Sequence, residues 1–238
     1  MSDPDRDRLA DVVATIHDRF GTGALYRLRE AKDTATLSSG FAALDEALGG
    51  GLPHGRLVEI GGKSTAGVIT LALKLVAAAQ HRGYTALYLD LGQTFDPVYA
   101  GRCGVLLDHF LLVHPRNRPQ ALALLRDLVL SEIGNVLVLD FPTPLASAGA
   151  HALSHTLDRL LAPLARANML LLCLNPRLSA QAAPQAAVRL WLERERWLYH
   201  YHDIHGYQAR IQILKNKGGP AGQEVSLSFT CAGLPGMR

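Results

Sequence analysis

The sequence predicts an α/β fold: a mostly parallel central sheet flanked by helices, an antiparallel hairpin at one edge and an N-terminal helix-strand extension. Three observations predict it. Between residues 56 and 176, short β-rich apolar runs alternate with segments of helical period, as parallel strands joined by crossover helices require. After residue 188 the rhythm changes to two long runs, RLWLERERWLYHYH and YQARIQILKNK. They flank Asp203-Ile204-His205-Gly206, which reads as a hairpin turn. The 238 residues are 48% apolar and 19% charged, enough for a packed core and outside the disordered and fibrous classes.

Along the chain, RDRLADVVATIHDRF (6–20) places Leu9, Val12, Val13, Ile16 and Phe20 on one helical face, and Gly21 and Gly23 stop it. GALYRL reads as a short strand and REAKDTAT as a linker. FAALDEAL is a helix that ends in three glycines at 49–51, and LPHG is a turn. The alternation then runs as strand RLVEI (56–60), helix 68–83, strand TALYLDL (85–91), short helix 97–104 and strand FLLVHP (110–115). It continues with helix 118–134, strand NVLVLDF (135–141), helix 152–168 and strand MLLLCLNP (169–176), and EVSLSFT is the last strand. There is no internal repeat.

The charge balance is +3, from 24 Lys+Arg against 21 Asp+Glu, with no strongly basic tail, so it points only weakly to nucleic acid. Cys103, Cys173 and Cys231 are far apart and odd in number, which excludes a disulfide framework or a C-x-x-C metal site and suggests a reducing compartment. The start, MSDPDRDRLADVV, has no signal-peptide pattern, and the longest apolar run, Met169 to Leu174, is too short to span a bilayer. The expectation is a cytoplasmic protein.

The strand LVEI runs into Gly61-Gly62-Lys63-Ser64-Thr65-Ala66-Gly67-Val68-Ile69 and then a helix. This is the setting of a phosphate-binding loop, where backbone N–H groups and the helix N-terminus cradle phosphates. The pattern G-x-x-x-x-G-K-[ST] is half met. Gly62 and Gly67 have its spacing, but Val68 and Ile69 stand where lysine and a hydroxyl belong. The lysine reaches the terminal phosphates and the hydroxyl holds Mg²⁺; Val and Ile do neither. A frame shifted to Gly62-Lys63-Ser64-Thr65 needs a glycine at position 57, which is Leu57. Asp140 ends a buried strand as a Mg²⁺-coordinating aspartate does, or caps the turn that follows. Gly62, Lys63, Gly67 and Asp140 therefore form a degenerate cofactor site: no cofactor is expected, beyond weak ATP binding. Asp90 is followed by Leu91, Gly92 and Gln93, with no glutamate to activate water, so no enzyme activity is expected.

His200 and His202 share a strand face, but only Asp203 stands near to complete a metal site, and none is expected. Cys173 reads as a core residue. Arg189, Arg194 and Arg196 interleave with Trp191 and Trp197, while Glu193 and Glu195 dilute the charge. That run reads equally as a weak single-stranded DNA track or as a salt-bridged strand face.

Over nearly its full length the chain resembles a RecA-type recombinase. TIHDRFGTGALYRL is similar to that family's N-terminal helix and strand, and LSSGFAALDEALGGGLPHGRLVEIGG to its approach to the phosphate loop. YLDLGQTFDPVYAGRCGV is similar to the segment after its second core strand, NVLVLDF to its Asp-terminated strand, and ILKNK to its lysine pair near the subunit interface. The departures fall on the chemistry: Val68 and Ile69 in the loop, Gly92 at the catalytic glutamate, Pro176 at a glutamine that couples nucleotide to DNA. The stretches for the two DNA-binding loops, around 142–151 and 177–187, are short and neutral.

The resemblance implies a RecA-like core over 37–238 without a separate C-terminal domain, and an oligomerisation or partner segment over 1–36. By size the chain is most similar to the ImuA-type mutasome accessory proteins among non-catalytic RecA paralogues. That implies a bacterial DNA-damage role in translesion synthesis, with RecA and/or an ImuB-type Y-family polymerase as partner. Phe20, Leu25, Tyr26 and Leu28 would anchor the partner contact or self-association, and Lys215 and Lys217 would reach towards a neighbour.

Overall fold

The computed structural model describes residues 3–21, 35–141, 147–175 and 183–230. Two units separate by their contacts, Met1–Ala35 and Thr36–Arg238. In the first, helix α1 (Asp3–Phe20) carries the expected 3.6-residue spacing and ends at Gly21, whose φ is +84° and whose N–H donates to the His17 carbonyl at 2.8 Å. The strand expected at GALYRL lies outside the described residues.

The second unit begins with a small antiparallel pair, β1 (Thr36–Leu37) with β2 (Leu52–Pro53). Helix α2 (Ala42–Leu48) lies between them in sequence. LPHG, expected as a turn, is a turn only in part. Leu52 is instead buried in this short ladder, and the turn follows it.

The main sheet has eight strands, in the order β10-β9-β8-β3-β7-β6-β4-β5. These are β3 (Leu57–Gly62), β4 (Ala86–Asp90), β5 (Phe110–Val113), β6 (Val136–Asp140) and β7 (Leu170–Leu174). Then come β8 (Val188–His200), β9 (Asp203–Asn216) and β10 (Glu224–Thr230). The pairings from β5 across to β8 are parallel, and β8–β9 and β9–β10 are antiparallel. The predicted parallel centre and antiparallel edge are both present.

Helices cover both faces, which is why β3, β4, β6 and β7 are buried throughout and, apart from Glu59 and the terminal Asp90 and Asp140, carry no polar alternation. On one face Val58, Ile60, Tyr88, Val138 and Leu172 pack against α3 (Val68–Gln80). On the other, Leu57, Leu89, Leu137 and Leu171 pack against α5 (Arg118–Leu130) and α6 (Ser147–Ala167). A short α4 (Pro97–Arg102) starts at Asp96, whose carboxylate accepts from Val98 and Tyr99 N–H. Among the described residues no helix is long and apolar enough to cross a membrane.

Two expectations need correction. The hairpin turn is Tyr201-His202, with His200 opposite Asp203, and Asp203 to Gly206 belong to β9. Gly206 serves the strand: a Cβ there would collide with the Phe229 carbonyl of β10. Helix α6 begins at Ser147 rather than at Ala152.

Candidate functional site

At the carboxyl end of β3 the chain turns through Lys63-Ser64-Thr65-Ala66 into α3, and this end of a doubly covered parallel sheet is where ligand crevices form. Gly62 stands between Leu192 of β8 and Val68, too close for any Cβ. Gly67 has φ +96° and caps α3. Thr65, at φ +61°, gives the loop a left-handed residue. Backbone geometry thus requires glycine at both positions.

The charges are arranged otherwise. Lys63 Nζ lies 3.0 Å from Glu193 Oε1 on β8. Glu193 also accepts from Trp191 Nε1 at 3.2 Å and pairs with Arg210 at 3.3 Å. Lys63, followed by Trp191 and Arg210, holds its carboxyl below the usual range. Val68 and Ile69 open α3 and add no charge or hydroxyl. The Tyr207 ring and hydroxyl cover Gly67 at the position of its absent Cβ. Tyr207 donates to Thr70 Oγ1 at 2.8 Å, and Thr70 shares a 2.6 Å hydrogen bond with Tyr99. Arg194 Nη1 donates to Thr65 Oγ1 at 3.0 Å.

The loop, Thr70, Tyr99 and Tyr207 border a cavity of about 810 Å³ whose walls include Thr94, Asp140, Phe141, Leu174 and Trp191. Asp140 is 5% exposed and accepts from the Tyr88 hydroxyl at 2.7 Å. Burial raises its pKa and the neighbouring Asp90 adds to the rise, against the Tyr88 hydrogen bond. Asp90 stands opposite it on β4, fully buried, accepting from Phe95 N–H at 2.8 Å and facing His114 at 3.6 Å. Its Oδ1 has no hydrogen-bond partner. The positions that hold a Mg²⁺–triphosphate in the full pattern lack its groups here: Lys63 is paired with Glu193, and Val68 and Ile69 bring neither charge nor hydroxyl.

The remaining sequence candidates scatter. Arg189 turns inward to Glu59, Nε to Oε2 at 2.6 Å, and Glu59 also accepts from Asn175 at 2.8 Å. Burial raises the Glu59 pKa despite both partners. Arg194 stacks on Trp197, 4.3 Å from the ring centroid, and Arg196 donates to Gln208 at 2.7 Å. Lys215 and Lys217 bond the carbonyls of Pro184 and Gln185, at 2.7 and 3.4 Å, and burial followed by its cationic neighbours lowers the Lys215 pKa. Phe20 closes α1; Leu25, Tyr26, Leu28, Pro176 and the first of the short loop stretches up to 146 lie outside the described residues. Among the described residues, no three His, Cys, Asp or Glu side chains converge as a metal site. The sequence reading missed Tyr207, Tyr99, Thr70 and Thr94. Tyr99 sits in the quoted DPVYAG segment; for Tyr207 only the hairpin register brings it to the loop.

A mostly parallel sheet with a phosphate-type loop after its central strand defines an α/β protein of the nucleotide-loop class. Within that class the chain belongs to the RecA family: the model of the RecA N-terminal domain matches residues 7–175. The crystal structure of the RadB recombinase superposes with a TM-score of 0.65 at 20% identity, over 83% of this chain and 98% of that one, and shows the same fold.

Proposed function

We propose that this RecA-family protein is a pseudo-ATPase that works as an accessory or scaffold in the bacterial response to DNA damage. Its place is translesion synthesis, in the manner of ImuA-type proteins, through contacts with RecA and/or an ImuB-type Y-family polymerase. One observation carries the reading: the loop keeps its glycine frame while Lys63 is committed to Glu193 and Val68 and Ile69 occupy the chemical positions. Fold and site are separable, so a RecA-type fold can serve as a scaffold without hydrolysis.

The test has two arms. Calorimetry with Mg²⁺-ATP gives no saturable heat in the low micromolar range, and RecA or the polymerase co-purifies with the full chain but not with a chain lacking residues 1–30. Tight ATP binding overturns the pseudo-ATPase reading; unchanged co-purification after the deletion removes the N-terminal interface. The cavity of about 810 Å³ favours a second reading, an ATP-binding protein with a deviant loop built on Lys63. It requires that Lys63→Ala abolish nucleotide binding.

A further inference from the structure

The pairing of β8 with β3 stops at Leu192, opposite Gly62, yet β8 continues to His200. Beyond Leu192 only β9 lies beside it; among the described residues no strand pairs with its other side. β9 itself is covered by β10 as far as Gly206. Among the described residues, the projecting half of the hairpin therefore offers an open strand edge from Glu193 to His200. Native sheets usually shield such edges, because unpaired backbone N–H and C=O groups accept another chain.

The edge begins with two shielding features, the charged run Glu193 to Arg196 and a bulge within it, but its distal half is aromatic and exposed. Trp197, Tyr199, Tyr201 and Ile204 are 41%, 62%, 89% and 54% exposed. Trp197 and Tyr199 share a face of β8, about 6.8 Å apart at two residues' rise. A bulge between Arg194 and Arg196 brings Arg194 to the Trp197 side, where its guanidinium stacks on the indole.

Charge completes the pattern. Arg194 and Arg196 bond only neutral groups, the Thr65 hydroxyl and the Gln208 amide. The carboxylates between them and before them are engaged: Glu195 accepts from Ser226 at 2.9 Å, and Glu193 serves Lys63 and Arg210. Among the described residues neither guanidinium is in an ion pair, and the two flank an open edge rich in Trp and Tyr, residue types that anchor protein interfaces.

We propose that the projecting β8–β9 hairpin captures an extended acidic segment of a partner protein, which adds to the sheet as a strand along Glu193–His200. The backbone edge selects a polypeptide, since only another peptide chain completes a ladder of N–H and C=O groups. The two arginines select acidic side chains, and the aromatic face selects apolar residues at alternate positions. The surface adjoins the loop through Glu193–Lys63 and Arg194–Thr65, but peptide capture is read without nucleotide, so the two readings are tested separately.

The experiment uses the full chain and a fluorescein-labelled decapeptide of alternating Glu and Val, with an alternating Lys-Val decapeptide and a labelled oligothymidylate as controls. Anisotropy reads saturable binding of the Glu-Val peptide, with Kd on the order of 100 µM. Hydrogen exchange slows at the amides of 193–200 when that peptide is added. Arg194→Glu with Arg196→Glu, and separately Tyr199→Ala with Tyr201→Asn, weaken binding by about tenfold or more. Asn suits the +55° φ of position 201, and circular dichroism verifies that both variants fold. The proposal is overturned if the Glu-Val peptide does not bind up to about 1 mM. It is equally overturned if both variants bind unchanged, if the Lys-Val peptide binds as well, if exchange at 193–200 is unaffected, or if only the oligothymidylate depends on the tip.

Discussion

A methyl group on Gly67 would run into the hydroxyl of Tyr207. Gly67 also sits at φ +96°, a conformation that L side chains rarely adopt. Gly67→Ala therefore loses on two counts and is expected to cost about 2–3 kcal/mol in a denaturant melt. Adding Tyr207→Ala returns the steric part and leaves the backbone part, so the pair is non-additive. Strictly additive losses would count against the packing described.

The same contact sets an expectation for nucleotide binding. Val68→Lys with Ile69→Thr supplies the missing charge and hydroxyl, but Tyr207 still lies on the loop. Adding Tyr207→Ser should strengthen Mg²⁺-ATP binding by about tenfold or more over the double variant, read by calorimetry. Equal affinities would show that Tyr207 does not limit access to the loop.

Glu59 is fully buried, and Arg189 is its cationic partner at 2.6 Å. Arg189→Met removes the hydrogen-bonded counter-charge of that carboxylate, leaving only the influence of Lys215, and should destabilise by about 3 kcal/mol. Combining it with Glu59→Gln should recover part of the loss, because the uncompensated charge is gone. A surface role for Arg189 predicts instead a change near zero in unfolding by urea.

Asp140 titrates above its ordinary value because it is buried beside Asp90. A folded pKa raised above the unfolded one means that the folded protein holds the proton more tightly. The resulting stabilisation is complete below the unfolded value, near 4, and is lost as pH rises through the raised folded value. Asp140→Asn keeps an acceptor for the Tyr88 hydroxyl and carries no charge. Its urea midpoint relative to the native chain should rise between pH 4 and pH 7.5; a difference independent of pH would refute the burial argument.

Gly206→Ala should separate β9 from β10 at the Phe229 carbonyl and cost at least about 1 kcal/mol in thermal stability. This residue also marks the limit of what was readable. Strands buried on both faces were legible as unbroken apolar runs, and helices as periodic ones. Gly206, however, looks like a turn glycine and is a close-approach glycine, a distinction made by β10, which lies later in the chain. The start of α6 was missed because Ser147 to His151 has no apolar period. The spacing of Gly62 and Gly67 was visible; the bond from Lys63 to Glu193 and the seat of Tyr207 depend on a hairpin register with three irregularities, which pattern alone does not encode.

The place of β3 in the sheet bears on how the chain folds. Its neighbours are β7 and β8, both contributed by residues from Leu170 onward, whereas β4, β5 and β6 pair among themselves earlier in the sequence. The strand that carries the loop is therefore without a pairing partner until most of the chain has been synthesised. Its closure across long sequence separation is slow relative to the local pairs. During that interval the apolar side chains of Leu57, Val58 and Ile60 lack their strand neighbours, the kind of segment chaperones hold.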